Sequence, residues 1–257
     1  TLPNASRSLS QELVNYATWF SYSRTRMKAA KAGAGMAFGQ LGQNVRAGYR
    51  TIWGRNGADT SGNWPRQAKP IPVNNNGGLF VDPNGGGGAH NNRSRWYSRL
   101  YGTMAYSGTP LHNALNNAGS YFSSTDSEGA YGPESSADQL SCRQNFTVLT
   151  TDGYWNNLDI NVGEQDNVDG VEITGPGDRS YQYIASAPYA ASDSNTLADV
   201  AMRYWKTDLR PNMANNVPTT TANPAFWQHM VTFGIAMGLA GNTGYSSVGE
   251  VPASYRG

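Results

Sequence analysis

The feature that most constrains this fold is the alternation of helix-forming segments with short apolar runs. Apolar residues recur at three- and four-residue steps over residues 12–41 and 197–209, which is the period of an amphipathic helix. Apolar runs at 45–53, 145–150 and 231–238 have the length and composition of buried strands. Helices that alternate with such strands predict an α/β domain with a mostly parallel sheet flanked by helices.

Two long polar stretches interrupt this alternation. Residues 54–92 include four consecutive glycines at 85–88, and residues 153–193 are rich in Asp, Asn, Gly and Ser. We predict irregular loop insertions in both, with the glycine run among the least ordered parts. A pair of helices is predicted between them, at 96–101 and 110–122.

The charge balance excludes several classes of protein. Lys and Arg number 19 against 18 Asp and Glu, so the basic surface that nucleic-acid binding needs is absent.

No apolar run approaches the roughly 20 residues of a membrane span. The first residues lack the basic and apolar regions of a signal peptide. Since only 14% of residues are charged and Gly, Asn, Ser and Thr are abundant, we expect a fragment of an extracellular bacterial protein.

The chain has a single cysteine, Cys142, so no disulfide can form within it. Because Cys142 precedes an apolar strand, we expect it to be buried as a small hydrophobic residue. A bridge to another segment is the alternative.

Two oxygen-bearing residues, Thr109 and Asp152, lie where a predicted helix begins and a predicted strand ends. Ligand sites in open parallel sheets lie beyond the carboxyl ends of the strands, which is the position of Asp152. A hydroxyl, a carboxylate and waters could together hold a hard cation, Mg²⁺ or Ca²⁺. The alternative is that each residue only caps a helix or forms a turn.

Other patterns indicate no cofactor and no catalytic group. Gly33 and Gly35 do not follow a strand, so close helix packing explains them better than a dinucleotide loop. Asn167, Asp169 and Gly170 match only the middle of an EF-hand loop, which favours a polar surface loop. No histidine pair has ligand spacing, and no nucleophile elbow or phosphate-binding loop is present. These observations argue against an enzyme.

Five stretches, in order, resemble the N-terminal half of type IV pilus tip and biogenesis proteins, the PilC/PilY family. They are NYATWFSYSRTRM at 15–27, SGTPL at 107–111, QNFTVLTTDGYWN at 144–156, TLADVAMRYWKTDLRP at 196–211 and FWQHM at 226–230. Because these motifs span nearly the whole chain, the resemblance is specific.

The resemblance implies a von Willebrand factor A-like domain over residues 1–257. Such domains can hold a divalent cation at a metal-ion-dependent adhesion site, where Thr109 matches the second metal loop and Asp152 the third. The first loop, Asp-x-Ser-x-Ser, and the C-terminal β-propeller of the family are not found in the chain. We therefore expect Mg²⁺ or Ca²⁺ in the intact protein rather than in this fragment.

The resemblance also implies a non-catalytic role at the pilus tip, outside a Gram-negative cell. The expected partners are minor pilins and host or abiotic surfaces. A secreted metal-dependent hydrolase that uses Asp152 is the alternative. It would need a second carboxylate or a histidine nearby as a base, for which the sequence offers Asp159 and Glu164.

The strand order of a von Willebrand factor A-like sheet leads to one further prediction. Its first strand lies between the second and fourth, which here are residues 45–53 and 145–150. Since that strand would precede the opening helix, we expect an unfilled position between these two segments, about 9–10 Å wide.

Overall fold

A computed structural model describes residues 7–53, 71, 73, 76–83, 91–105, 108–135, 137–156 and 160–237. The predicted glycine loop at 85–88 lies outside these residues. The described α-helices are α1 Leu9–Tyr22, α2 Arg26–Gly39, α3 Asn92–Gly102, α4 Leu111–Ser123 and α5 Leu197–Lys206. The strands are β1 Asn145–Thr151, β2 Ile173–Gly175, β3 Arg179–Tyr181 and β4 Met230–Ala236. None of the described helices is long and apolar enough to cross a membrane.

The predicted helix over 12–41 is two helices, and the reason lies in local capping. Ser23 ends α1, and the Thr25 hydroxyl accepts a hydrogen bond from the Lys28 amide to begin α2. Such a cap satisfies one of the free amides at a helix start. Ser8 caps α1, in a reciprocal capping box with Gln11. A continuous apolar period therefore concealed a break between two capped helices.

The main sheet is small and parallel. β1 pairs with β4 in register from Asn145 opposite Met230 to Thr151 opposite Ala236. β2 and β3 form a separate antiparallel hairpin, so the prediction that 153–193 is all loop was partly wrong. The mixed α/β class is confirmed, with the pairing of β1 and β4 as the parallel element.

Two predicted elements are wrong because side-chain packing replaces regular pairing. Residues 45–53 form no strand, and Arg46 makes only an isolated bridge to Leu79. Ala47 and Tyr49 instead pack into an aromatic cluster around Phe80 and Trp96. Residues 226–230, for which the sequence predicts a helical segment, form no helix, and 226–229 bury large side chains beside the β2–β3 hairpin.

The principal core lies between α4, α5 and β4. Leu115, Val200 and Met230 are completely buried there, together with Tyr131 and Tyr204 at 1% and 6% exposure. Complete burial of a large apolar side chain stabilises the fold by about 1.5–3 kcal/mol. This core fixes the start of α5 relative to β1 and β4.

The first helix, α1, lies outside the buried core. It buries none of its side chains, and even its apolar residues Leu13 and Trp19 are 59% and 52% exposed.

The prediction that Cys142 is buried is wrong, since its free thiol side chain is exposed. Cys142 lies in a turn before β1 begins, so the apolar strand that suggested burial does not include it.

Close helix packing explains Gly35 of α2, as predicted, whereas Gly33 is exposed and has no neighbour within 4 Å of a Cβ position. Gly35 is buried, and the Tyr97 hydroxyl of α3 donates a hydrogen bond to its carbonyl oxygen at 2.9 Å. A Cβ at this position would collide with Tyr101.

Candidate functional site

Thr109 and Asp152 line one cleft of about 690 Å³ at the carboxyl end of β1. Asp152 directly follows β1, and Thr109 precedes α4. Asn156 joins their two loops, because its amide donates to the Thr109 carbonyl oxygen at 3.1 Å. Its side-chain oxygen in turn accepts from the Thr109 amide at 2.5 Å. Pro110, not Thr109, is the N-cap residue of α4, so the alternative role of Thr109 as a helix cap is wrong.

The Asp152 carboxylate already has a cationic partner. Its Oδ2 lies 3.1 Å from the guanidinium of Arg26, and both side chains are more than half exposed. In the described part of the chain, Asp152 belongs to no group of three or more His, Cys, Asp or Glu side chains that could hold a metal ion. A hydroxyl and one carboxylate engaged by arginine do not amount to a cage for Mg²⁺ or Ca²⁺, which needs more oxygen ligands. Metal binding at Thr109 and Asp152 stays a prediction.

Trp53 lines this cleft, and two further aromatic residues follow Asp152 in the chain. Tyr154 is 79% and Trp155 51% exposed just beyond β1. The Trp155 ring contacts the His112 ring edge-to-face at 5.4 Å, and burial lowers the pKa of His112. Trp53 donates from its indole nitrogen to the Gly108 carbonyl oxygen at 2.6 Å. Exposed tyrosine and tryptophan beside a cleft are typical of protein-recognition surfaces.

A longer groove of about 900 Å³ runs beside β1, opposite residues 45–52. Its lining includes Val45, Ile52, Ala114 and Val148. Among the described residues, β1 is hydrogen-bonded to β4 alone. An unpaired strand edge presents free backbone groups that can take up another strand. The unfilled strand position stays a prediction, and this groove is where the strand would lie.

The residues offered for the alternative hydrolase do not gather at the cleft. Asp159 lies outside the described residues. Glu164 clusters instead with Asp166 and Asp199. Sequence reasoning treated Glu164 only as a possible base and overlooked the other two. The available signals were the alternating carboxylates at 164 and 166 and the capping pattern from Thr196 to Asp199.

Comparison with known proteins supplies the biological setting. The chain is 33% identical over 241 residues to the type IV pilus biogenesis factor PilY1 of Pseudomonas aeruginosa strain UCBPP-PA14. It is 31% identical over 253 residues to the protein of the same name from strain PAK. Each match covers 88% of this chain but only 19% of the relative. No family model and no solved structure matches the chain.

The chain thus spans about a fifth of the length of these curated relatives. Along nearly nine-tenths of its length, this chain is homologous to one region of type IV pilus biogenesis factors.

Proposed function

We propose that this chain is a binding and assembly domain of a type IV pilus tip protein, with a von Willebrand factor A-like fold. The observation that carries the proposal is the 33% identity over 88% of the chain to a type IV pilus biogenesis factor. Its partners are minor pilins and the host or abiotic surfaces that a pilus tip meets outside the cell. The role is one of recognition rather than catalysis.

The recognition surface is the carboxyl end of β1. Thr109 and Asp152 line its cleft, and Tyr154 and Trp155 lie immediately beyond. Aromatic residues provide most of the binding energy at many protein interfaces, and the half-exposed Asp152 adds a charge that can select a partner. In the longer protein, a further carboxylate loop placed at this cleft would complete a site for Mg²⁺ or Ca²⁺ with these two residues.

In this proposal, a further strand completes the sheet by pairing with β1. A strand from elsewhere in the longer protein lies in the groove between residues 45–52 and β1 and pairs with the free edge. Parallel sheets of this kind are normally paired and covered on both faces. The groove of about 900 Å³ and the single pairing of β1 support this arrangement.

The hydrolase alternative has weaker support. Asp152 is ion-paired with Arg26, and a general base or metal ligand would have to be free to take a proton or a cation. Among the described residues, it belongs to no group of three or more His, Cys, Asp or Glu side chains that could hold a metal ion.

The test is direct binding to the soluble domains of minor pilins, measured by biolayer interferometry on the immobilised chain. We expect Tyr154→Ser to weaken binding at least about tenfold, as loss of a central aromatic contact does. Tyr189→Ser is the matched control, because Tyr189 is 58% exposed on a different loop. Equal binding by both variants, or turnover in a hydrolase panel that Asp152→Asn abolishes, would contradict the proposal.

A further inference from the structure

Three carboxylates form a second acidic group, which is separate from the cleft. One oxygen each from Glu164, Asp166 and Asp199 lies within 4.8 Å of the others. Asp166 and Asp199 are 1% and 0% exposed. Placing like charges together out of water is unfavourable unless a positive charge compensates them.

Asp199 is fully explained by its role in the fold. Its Oδ2 accepts hydrogen bonds from the amide and hydroxyl of Thr196 in a capping box at the start of α5. Its Oδ1 accepts from the amides of Gln165 and Asp166 at 2.6 and 3.3 Å. Four donors account for the four lone pairs of this carboxylate. Asp199 therefore holds the loop at 164–166 against α5.

Glu164 also helps to shape this loop. Its Oε1 accepts from the Asn167 amide at 3.1 Å, and its Oε2 accepts a longer bond from the Ser194 hydroxyl at 3.3 Å. These two bonds leave lone pairs free on both oxygens. Glu164 is only partly buried, so an ion could reach the group from its side.

Asp166 is the residue that the fold does not explain. Its Oδ1 accepts from the Ala191 amide at 3.0 Å. Its Oδ2 is buried and has no hydrogen-bond partner in the described part of the chain. A buried polar atom without a partner costs about 1–3 kcal/mol, and more when it is charged. This oxygen is one that a ligand would satisfy.

The neighbouring lysine does not satisfy it. Lys206 Nζ donates to the carbonyl oxygens of Gln165 and Val168 at 2.7 and 2.8 Å. Burial lowers the pKa of Lys206, while Asp169, Asp199, Glu164 and Asp166 act to raise it. One ammonium therefore compensates only part of the negative charge around it, and a cation would compensate the rest.

We propose that Glu164, Asp166 and Asp199 form a calcium site. Opposite oxygen ligands of Ca²⁺ lie about 4.6–5.2 Å apart, whereas those of Mg²⁺ lie about 4.0–4.2 Å apart. The oxygens of this group lie within 4.8 Å of one another, a separation that an ion of the size of Ca²⁺ can span. Asp166 Oδ2 and a Glu164 oxygen supply ligands with free lone pairs, and waters complete the coordination. Asp199 adds its negative charge beside the ion and holds the Asp166 amide.

A calcium ion here would tie the polar loop that follows β1 to the start of α5. The loop carries Gly163 at a φ of +68°, and its carboxylates are held by backbone amides before an ion arrives. Such amides orient the ligands as outer-shell donors do in known metal sites. The site is independent of the cleft at Thr109 and Asp152 and of any pilin partner.

The experiment is a Ca²⁺ titration of the metal-stripped 257-residue chain by calorimetry, with Tb³⁺ luminescence as a second measurement. Tyr183 can sensitise Tb³⁺ there, since its hydroxyl donates to the Asp166 carbonyl oxygen at 2.6 Å. We expect one Ca²⁺ per chain with a Kd of about 10⁻⁴–10⁻³ M or tighter, and Ca²⁺ should displace Tb³⁺.

Two variants and a control decide the location. Asp166→Asn and Glu164→Gln should each weaken Ca²⁺ binding at least about tenfold. Asp178→Asn, which removes an exposed carboxylate outside the group, should leave it unchanged. Glu164→Gln keeps the test valid if the buried Asp166→Asn variant fails to fold. The proposal is wrong if the wild-type chain binds no Ca²⁺, or if Asp152→Asn abolishes binding while Glu164→Gln retains it.

Discussion

The two acidic sites of this chain differ in how their charges are compensated. At the cleft, Asp152 is 55% exposed and pairs with Arg26 at 3.1 Å. In the acidic group formed by Glu164, Asp166 and Asp199, two carboxylates are buried, and Asp166 Oδ2 has no hydrogen-bond partner among the described residues. Water and arginine therefore stabilise the first charge, whereas the second site retains an uncompensated one.

We infer from this difference that burial and charge balance, rather than a motif, decide where this chain binds a cation. An exposed ion pair is worth about 0–1 kcal/mol because water screens it. A buried carboxylate must be matched by hydrogen bonds or an opposite charge. The resemblance pointed to the exposed site, while the geometry favours the buried one. Four measurements can test this contrast.

The largest effect should come from Asp199→Ala. The change removes the capping box of α5 and leaves the Gln165 and Thr196 amides without their partner. Losing a cap costs about 1 kcal/mol, and each unsatisfied buried amide costs about 1–3 kcal/mol. We expect the free energy of unfolding to fall by on the order of 3 kcal/mol in urea titrations. A fall below about 1 kcal/mol would show that the loop does not depend on this carboxylate.

Lys206→Met should have the next largest effect. It removes the ammonium that binds the Gln165 and Val168 carbonyl oxygens and leaves the carboxylates more strongly repelled. Without metal, we expect a loss of on the order of 2 kcal/mol. Saturating Ca²⁺ should stabilise this variant more than it stabilises the wild type, which thermal unfolding with and without Ca²⁺ would measure. Equal stabilisation of the variant and the wild type by Ca²⁺ would show that Lys206 does not influence the calcium site.

Acid should weaken the α5 end of the molecule through Asp199. Burial raises the pKa of Asp199, but hydrogen bonds from Gln165 and Thr196 outweigh it, so the pKa lies below its ordinary value of 3.8. This carboxylate therefore stabilises the fold above pH 3.8, and its contribution is lost as the pH falls below that value.

Unfolding measured across this pH range should show a flatter acid dependence for Asp199→Asn, by at most about 1.4 kcal/mol per pH unit. Asp208→Asn is the control. Burial raises the pKa of Asp208, so ionisation of Asp208 lowers the stability of the fold as the pH rises above 3.8. The effect of Asp208 on stability is therefore opposite in sign to that of Asp199. Identical acid profiles for wild type and Asp199→Asn would contradict the prediction.

The smallest effect should come from the exposed pair. Arg26→Gln and Asp152→Asn should each change the free energy of unfolding by less than about 1 kcal/mol, and added salt should reduce the difference. Chemical denaturation at two salt concentrations would measure both. A loss above about 2 kcal/mol would make the cleft as structurally important as the buried acidic group and would remove the contrast between the two sites.

Much of the fold could be predicted from local pattern. The strand predicted at 145–150 is β1 Asn145–Thr151, and that at 231–238 is β4 Met230–Ala236. The helix predicted at 197–209 is α5, shorter by three residues at its end. In each case the apolar period or run lies within one element and agrees with its burial. Local propensity and tertiary packing favour the same structure there.

The failures share a physical cause. The segment 45–53 has strand composition, but its side chains are used in an aromatic cluster with Phe80 and Trp96. Cys142 precedes a strand yet lies in an exposed turn. A single-sequence pattern reports the preference of a segment and carries no information on which partner that segment meets.

The sequence by itself determined the α/β class, the main strands and α5, and the residues of the cleft that follow β1. Only the tertiary structure decided which carboxylates lie together. Asp166 and Asp199 are 33 positions apart in the sequence. They meet because α5 packs beside β4 in the core, and because Asp199 of its capping box also binds the backbone of the loop at 164–166. Charge repulsion and desolvation depend on distance in space, which sequence spacing does not specify, so the acidic group became visible only in the folded chain.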